Sequence, residues 1–228
     1  MTRRFAIINR LVEVVRILGD LTDEFVFVGG SVVPLLVTDE AAQDARLTID
    51  VDVIVHVLRR SGYYAIQDRL AKVGFRPSMQ DPVICRFKHG ELTLDVMPTD
   101  ESILTFGNRW YPQAVSNPII YPLLPERSLK VIAAPLFLCT KFDAYKSRRA
   151  EDEKDLEDIV AVIDGRPELM DELKLATSEV KKFLSDSTQS VLDEGLLDRL
   201  DWFLPGDEAG AARITIVMHR LQTIAESA

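Results

Sequence analysis

The sequence is poor in cysteine and histidine, with two cysteines and three histidines among 228 residues. Cys85 and Cys139 each lie among apolar residues. We therefore expect them to be buried thiols of a cytoplasmic protein, and nothing indicates a disulfide framework. The three histidines are scattered and give no zinc signature. These absences argue against the disulfide-rich secreted domains and against the small Cys/His zinc modules.

Long hydrophobic runs are missing as well. No apolar run approaches the roughly 20 residues that cross a bilayer, and the N-terminus lacks the apolar core and the cleavage site of a signal peptide. Basic residues are also few: 27 Lys and Arg stand against 36 Asp and Glu, which gives a formal net charge of −9. A surface that coats nucleic acid should be basic. The composition therefore favours a globular domain with at most a local basic patch.

Two carboxylates stand two residues apart in an apolar, β-branched stretch. Residues 48–55 predict a strand, so Asp50 and Asp52 would point to the same face of it. Like charges side by side repel each other and are costly to desolvate, so a cation should compensate them. A divalent metal is the leading candidate, because Mg²⁺ is held by one or two carboxylates plus substrate phosphates. For the pair alone, a strand with one solvated face is the alternative.

The segment before the acid pair joins an apolar stretch, residues 25–28, to the turn Gly29, Gly30 and Ser31. A further apolar stretch, residues 32–37, follows. A strand, a glycine turn and a helix start form the arrangement in which backbone N–H groups hold a phosphate. Ser31 can add a hydroxyl group or cap the helix. Glycines occur in turns of every kind, so this motif gains weight only beside the acid pair.

A third carboxylate, Asp95, lies in the strand-like stretch 91–97. This stretch follows a plausible hairpin turn at His89 and Gly90. If its strand lies beside the one that carries Asp50 and Asp52, all three acids meet at one metal site. Two-metal sites for phosphoryl displacement need such a carboxylate cluster.

Together these motifs resemble the polymerase-β-type nucleotidyltransferase pattern, which has a Gly-Ser turn, an acid-x-acid strand and a later third acid. Arg46 and Thr48, just before the acid pair, and the downstream block 141–158 resemble the bacterial AbiEii-type nucleotidyltransferases more narrowly. Many members of that family are toxins of toxin–antitoxin pairs. The resemblance covers about the first two-thirds of the chain.

The resemblance implies an enzyme that uses Mg²⁺ or Mn²⁺ and takes an NTP as co-substrate. Asp95 would be a metal ligand or the base that accepts the proton of the acceptor. The expected metal ligands are Asp50, Asp52 and Asp95. The residues expected to contact the nucleotide are Gly29, Gly30, Ser31, Arg46 and Lys141.

Lys141 lies in a predicted helix over residues 136–147, for which Pro135 suits the first turn. Members of the family carry a lysine on the helix after the core, so the resemblance implies that Lys141 is a catalytic residue that holds the triphosphate. A solvated helix lysine is the alternative. A Lys-Asp-x-x-Asp stretch of the family is matched by Asp155 and Asp158, which would equally complement the N-terminal end of a helix.

Periodicity predicts an N-terminal helix over residues 4–18, a second helix over 61–73 and two short strands between 103 and 125. Three further helices are predicted, over residues 168–185, 188–203 and 207–225. The polar segment 39–44 is expected to be a mobile loop. The predicted fold is α/β (α+β), a polymerase-β-like nucleotidyltransferase mixed sheet with flanking helices, followed by an α-helical C-terminal lobe. The core would span residues 1–126 and the lobe residues 127–228.

The expected function is metal-dependent transfer of a nucleoside monophosphate from an NTP to an acceptor hydroxyl. The resemblance implies a tRNA or a protein as acceptor, and an antitoxin protein as a partner. One alternative is a small-molecule nucleotidyltransferase of the aminoglycoside type, since an acidic protein attracts a polycationic acceptor. The other is a non-catalytic nucleotide-binding protein on the same fold, although such a protein has no need of buried charges.

Overall fold

A computed structural model describes residues 2–78, 83–148 and 153–227. The chain forms two compact units. The first contains the segments Met1–Pro34 and Arg46–Ala133, and the second contains Leu35–Ala45 and Ala134–Ala228. The chain therefore passes between the units three times, and the segment Leu35–Ala45 interrupts the first unit in sequence.

The described residues form a mixed α/β structure. Its strands are β1 (Phe25–Val28), β2 (Asp50–Val55), β3 (Arg76–Pro77), β4 (Arg86–His89), β5 (Leu92–Pro98), β6 (Ile119–Leu124) and β7 (Arg127–Val131). Its α-helices are α1 (Arg3–Leu18), α2 (Val33–Leu36), α3 (Arg60–Lys72), α4 (Tyr111–Ser116), α5 (Ala134–Ser147), α6 (Lys154–Gly165), α7 (Leu169–Leu175), α8 (Ser178–Asp193) and α9 (Glu208–Ala225).

The first unit is built on a mixed sheet. Within the described ranges the sheet has seven strands in the order β3-β4-β5-β2-β1-β7-β6. β2 pairs parallel with β5 and antiparallel with β1, and β1 pairs parallel with β7. The sequence predicted a domain boundary between residues 126 and 127, and this position lies at the turn between β6 and β7. The central strands β1, β2 and β5 carry the residues of interest.

The central strands form because β-branched residues alternate or run continuously in them. Phe25 and Phe27 of β1 are buried, and so are Val51 and Val53 of β2. Asp50 and Asp52, the alternate positions in the first half of β2, are half-buried. This alternation turns one face of β2 into the core and leaves the acids on the other face.

The predicted helices of the first unit are confirmed as α1 and α3. Thr2 caps α1, because its hydroxyl accepts a hydrogen bond from the amide of Phe5 at 3.3 Å. The prediction for residues 103–125 was partly wrong, since this stretch contains α4 and one strand, β6. Pro112 at the first turn of α4 suits a helix start, and the aromatic residues around it had suggested strand.

The second unit is helical, and it holds the segment Leu35–Ala45 in place. The amides of Thr38 and Asp39 donate to the carbonyl of Gly165 at 2.8 and 3.0 Å. The guanidinium of Arg166 donates to the carbonyl of Leu36 at 2.7 Å, and the Thr38 hydroxyl donates to Glu168 at 2.7 Å. Residues 39–44 form no helix or strand, as expected of a loop, and its mobility stays a prediction.

The C-terminal helices differ from prediction in two places. The predicted helix 168–185 is two helices, because α7 ends at Leu175 with an extended Ala176 after it, and Thr177 then caps α8 by accepting from Val180 N at 3.3 Å. The predicted helix 188–203 is also wrong: α8 continues to Asp193, Gly195 takes a positive φ of 81°, and a 3₁₀ turn over Leu196–Trp202 follows. The last helix is confirmed as α9.

Both cysteines are buried and unpaired as disulfides, as the sequence predicted. Among the described residues, no helix is both long and apolar enough to cross a membrane.

Candidate active site

Three carboxylates meet on one face of the sheet in the first unit. Asp52 of β2 lies directly opposite Asp95 of β5 in a parallel pairing, and Asp50 lies opposite Thr93. Residues paired in this register point to the same side of the sheet. The predicted neighbourhood of the two strands is therefore confirmed. We call Asp50, Asp52 and Asp95 the acid cluster.

Arg86 of β4 binds two members of the acid cluster. Its Nε donates to Oδ1 of Asp95 at 2.9 Å, and its Nη2 donates to Oδ2 of the same residue at 2.8 Å. The same Nη2 donates to Oδ2 of Asp50 at 2.9 Å. The Arg86 side chain is 18% exposed, against 10% for Asp95 and 29% for Asp50. The pair with Asp95 is thus a two-pronged, largely desolvated ion pair, the strongest geometry for these groups.

The turn after β1 packs against the third acid. Val28, the last residue of β1, lies opposite Asp52, and Gly29 then takes a φ of +69°. A Cβ atom added at Gly29 would overlap the carboxylate of Asp52. Two features therefore require glycine at this position: the positive φ of the backbone and the close approach of the Asp52 carboxylate.

The rest of the turn is buried. Ser31 is 1% exposed, and its hydroxyl donates to the carbonyl of Val28 at 3.3 Å. Gly30 begins a 3₁₀ turn, and the helix that follows, α2, has only four residues. Phosphate binding by Gly29, Gly30 and Ser31 stays a prediction, and it would depend on backbone N–H groups since so short a helix has little dipole.

The negative charge of the acid cluster contributes to the pKa values of two neighbouring residues. Burial raises the pKa of the Cys85 thiol to about 12, and the carboxylates of Asp95 and Asp52 add to this effect. Burial also raises the pKa of Tyr63, and Cys85 and Asp95 contribute. The Tyr63 hydroxyl donates to the carbonyl of Val96 at 2.8 Å.

Lys141 belongs to the second unit, where it forms buried ion pairs. Its Nζ lies 3.1 Å from Oδ1 of Asp155 and 2.6 Å from Oδ2 of Asp158. Arg148 donates to the other oxygen of Asp155 at 2.7 Å. Lys141 is 8% exposed, and both aspartates are 1% exposed. This lysine is therefore not a solvated helix residue, and Asp155 and Asp158 are its counter-ions.

The remaining predicted nucleotide contact is Arg46, which lies half-buried in the irregular segment before β2. Arg10 of α1 steadies that segment by donating to the carbonyl of Ile49 at 2.8 Å. Trp110 is 1% exposed, so this aromatic side chain is a core residue.

The acid cluster suits Mg²⁺ or Mn²⁺ by the chemistry of its donors, since all of them are carboxylate oxygens. Among the residues that the structure describes, however, no group of three or more His, Cys, Asp or Glu side chains is arranged to hold a metal ion. In this arrangement both oxygens of Asp95 and one of Asp50 accept hydrogen bonds from Arg86. A metal ion would have to share these oxygens with Arg86 or take them from it.

Sequence reasoning did not identify Arg86, although the hairpin contained the signal for it. The turn between β4 and β5 lies at Gly90 and Glu91, one residue later than predicted, because His89 still belongs to β4. Counting outward from the observed turn places Arg86 opposite Asp95, whereas the predicted turn would have shifted this pairing by two residues. The cation expected beside the acids was therefore present in the chain itself.

Comparisons with known proteins give no family for this chain. No protein-family model matches the sequence, and no curated protein matches it either.

Proposed function

We propose that the acid cluster is the active site of a metal-dependent nucleotidyltransferase with a polymerase-β-like sheet. The enzyme would move a nucleoside monophosphate from an NTP to an acceptor hydroxyl. The observation that carries the proposal is the register that sets Asp52 opposite Asp95, with Asp50 on the same face. The contact of the Asp52 carboxylate with Gly29 adds support, because it brings the glycine turn to the acids.

In the proposed site Asp50, Asp52 and Asp95 would hold Mg²⁺ or Mn²⁺. When bound, such an ion neutralises charge on the phosphate oxygens of the nucleotide. The backbone of residues 29–31 would bind the β- and γ-phosphates, and Arg46 would contact the nucleotide from the segment before β2. Asp50 and Asp52 are fixed by β2, whose core-facing valines are fully buried, so the acids need little reorganisation.

Asp95 would be a metal ligand or the base that receives the proton of the acceptor, because it lies opposite Asp52 on the same face of the sheet. In the reaction a bond forms between the acceptor oxygen and the α-phosphorus, and the bond from that phosphorus to the bridging oxygen breaks. Pyrophosphate leaves, and the acceptor proton passes to Asp95.

The acceptor that we propose is a tRNA or a protein hydroxyl, as in the family that the sequence resembles. A small cationic molecule is the alternative, and the net charge of −9 favours it. An antitoxin partner belongs to the first proposal and not to the second.

The test is incubation of the purified protein with Mg²⁺, each labelled nucleoside triphosphate in turn, total tRNA and cell protein. We expect label in one fraction, and we expect it to be lost in Asp52→Asn and Asp50→Asn. Asp68→Asn is the matched control, since Asp68 lies exposed on α3. Equal labelling by both acid-cluster variants would contradict the mechanism.

A second candidate, a non-catalytic nucleotide-binding protein, is favoured by one observation. Arg86 already neutralises part of the acid cluster, so the buried charges are stable without a metal ion. Binding of nucleotide and Mg²⁺ in calorimetry without any transfer would support this candidate.

A further inference from the structure

We propose that Arg86 is a built-in counter-ion of the acid cluster and competes with a divalent cation for Asp50 and Asp95. Arg86 would thus be a positioning residue that sets the affinity of the site for metal. This inference rests on the proposed function, because it concerns the same carboxylates. It goes beyond that function by assigning a role to a residue of β4.

The geometry of the ion pair carries the first step. Arg86 reaches Asp95 through two different nitrogens and Asp50 through one of them, at 2.8 to 2.9 Å. A carboxylate oxygen has two lone pairs, so an N–H group and a metal ion can in principle share one oxygen. The guanidinium of Arg86 and the metal ion would then contact the same carboxylate oxygens. Like charges so close together repel strongly where water is largely excluded.

The burial of the partners carries the second step. The side chains of Arg86 and Asp95 are 18% and 10% exposed, so neither group recovers full hydration by moving slightly. Separating them leaves a charge partly buried without its partner, which is the costly way to break an ion pair. A metal ion must compensate for this loss when it enters.

The charges of the four groups carry the third step. Three carboxylates and one guanidinium carry two negative charges between them. The acid cluster therefore still attracts cations, but less strongly than three bare carboxylates would. Removing the guanidinium should increase the affinity for a free divalent cation, provided that β5 keeps its place.

The experiment uses Mn²⁺ alone as the probe, without nucleotide, and measures binding by electron paramagnetic resonance and by calorimetry. We expect Arg86→Met to bind Mn²⁺ roughly tenfold or more tightly than the original chain. Arg86→Lys keeps the charge but loses the two-pronged geometry, so we expect a smaller gain of about threefold. Adding Asp52→Asn to Arg86→Met should abolish the gain.

Arg127→Met is the matched control. Arg127 lies on β7 of the same sheet, its side chain is 22% exposed, and it likewise binds two carboxylates, Asp20 and Asp23, at 2.8 and 3.5 Å. Those two acids are 100% and 68% exposed, so they should form no metal site. This variant removes the same charge and leaves Mn²⁺ affinity unchanged if the effect is specific to the acid cluster.

A second measurement tests the inference even if Arg86→Met is less stable than the original chain. Thermal unfolding of this variant should shift to higher temperature with Mn²⁺ much more than that of the original chain, because a ligand that binds only the folded state stabilises it. Circular dichroism spectra confirm that the folds compared are the same.

The outcomes separate this inference from the proposed function. Equal Mn²⁺ affinity in the original chain, Arg86→Met and Arg86→Lys would overturn the role of Arg86 and leave the metal site intact. Absence of Mn²⁺ binding in all variants would overturn the metal site and, with it, both proposals. An equal gain in Arg127→Met would overturn the inference by showing an effect of net charge alone.

Discussion

The Nη2 atom of Arg213 lies 2.6 Å from Oδ2 of Asp39, so the last helix binds the segment that follows the glycine turn. The Nε of Arg213 also donates to both oxygens of Asp164 at 2.8 and 2.7 Å. Asp164 is 2% exposed, and burial raises its pKa even though the hydrogen bond from Arg213 acts in the opposite direction. Arg213 is therefore the cation that makes the burial of Asp164 tolerable.

Replacing Arg213 with methionine should destabilise the second unit. It leaves Asp164 buried without its partner and frees Asp39, and breaking a buried ion pair costs about 3–5 kcal/mol. Denaturant unfolding measures this cost, and hydrogen exchange at Thr38 and Asp39 should become faster. Lys174→Met is the control, because the pair between Lys174 and Asp171 is exposed and is worth about 0–1 kcal/mol. Equal effects of the two substitutions would contradict the prediction.

The ion pair with Asp39 should respond to acid. Hydrogen bonds from Arg213 and from the amide of Ala41 lower the pKa of Asp39 below its ordinary 3.8. Because the pKa of the folded state is the lower one, the contribution of the carboxylate is complete above 3.8 and is lost as the pH falls through the folded-state value. The unfolding free energies of the original chain and of Asp39→Asn should therefore differ near about pH 6, and the difference should shrink as the pH falls below 3.8. A constant difference over this range would count against the ion pair.

Alanine at Gly29 should damage the site more than alanine at another left-handed glycine. Gly19 has a φ of +55° with nothing near its missing Cβ, whereas at Gly29 the Cβ would overlap Asp52. Gly19→Ala should cost only the backbone strain, about 1–2 kcal/mol, and Gly29→Ala should cost more. Unfolding free energies and the transfer assay together test this. Equal stability and equal activity of the two variants would show that the contact with Asp52 is unimportant.

Methionine at Lys141 should destabilise the chain even without nucleotide. The substitution removes the buried cation that Asp155 and Asp158 share, and Arg148 remains beside Asp155, so we expect a cost of about 3–5 kcal/mol. Lys146→Met on the same helix is the control, since Lys146 is exposed and donates to Ser187, and its loss should cost about 1 kcal/mol. If Lys141→Met unfolds like the original chain but loses transfer, Lys141 acts on the nucleotide and not as a structural cation.

The sequence allowed the strands of the acid cluster to be predicted because local rules determine them. Alternating β-branched residues identify β2, and the hairpin identifies β5. Whether these two strands are neighbours is not a local property, so the approach of Asp95 to Asp52 was predicted only on the condition that they pair. The partner of Arg86 follows from counting the pairing register, and the predicted turn lay one residue before the observed one. Apart from this register, nothing in the sequence indicates which residue a charged strand residue will pair with.

The ion pairs of the second unit could not be predicted in the same way. Asp39 and Arg213 are 174 positions apart, and no local periodicity connects them. Lys141 and its two acids lie on successive helices, yet helical spacing gives only the face of each helix and not which faces meet. Helix ends also depend on single capping residues such as Thr177. A continuous apolar stripe in the sequence gives no sign of where such a residue ends or begins a helix.

The segment Leu35–Ala45 has a consequence for the order in which the chain is made. Leu35, Leu36 and Val37 are buried, and the groups that hold this stretch come from residues 165 to 213. A ribosome releases the N-terminal part first, so this stretch emerges long before its partners do. The nascent chain must therefore carry three apolar side chains without their final packing until α9 is synthesised, and a fragment that ends at Ala133 would keep them so permanently.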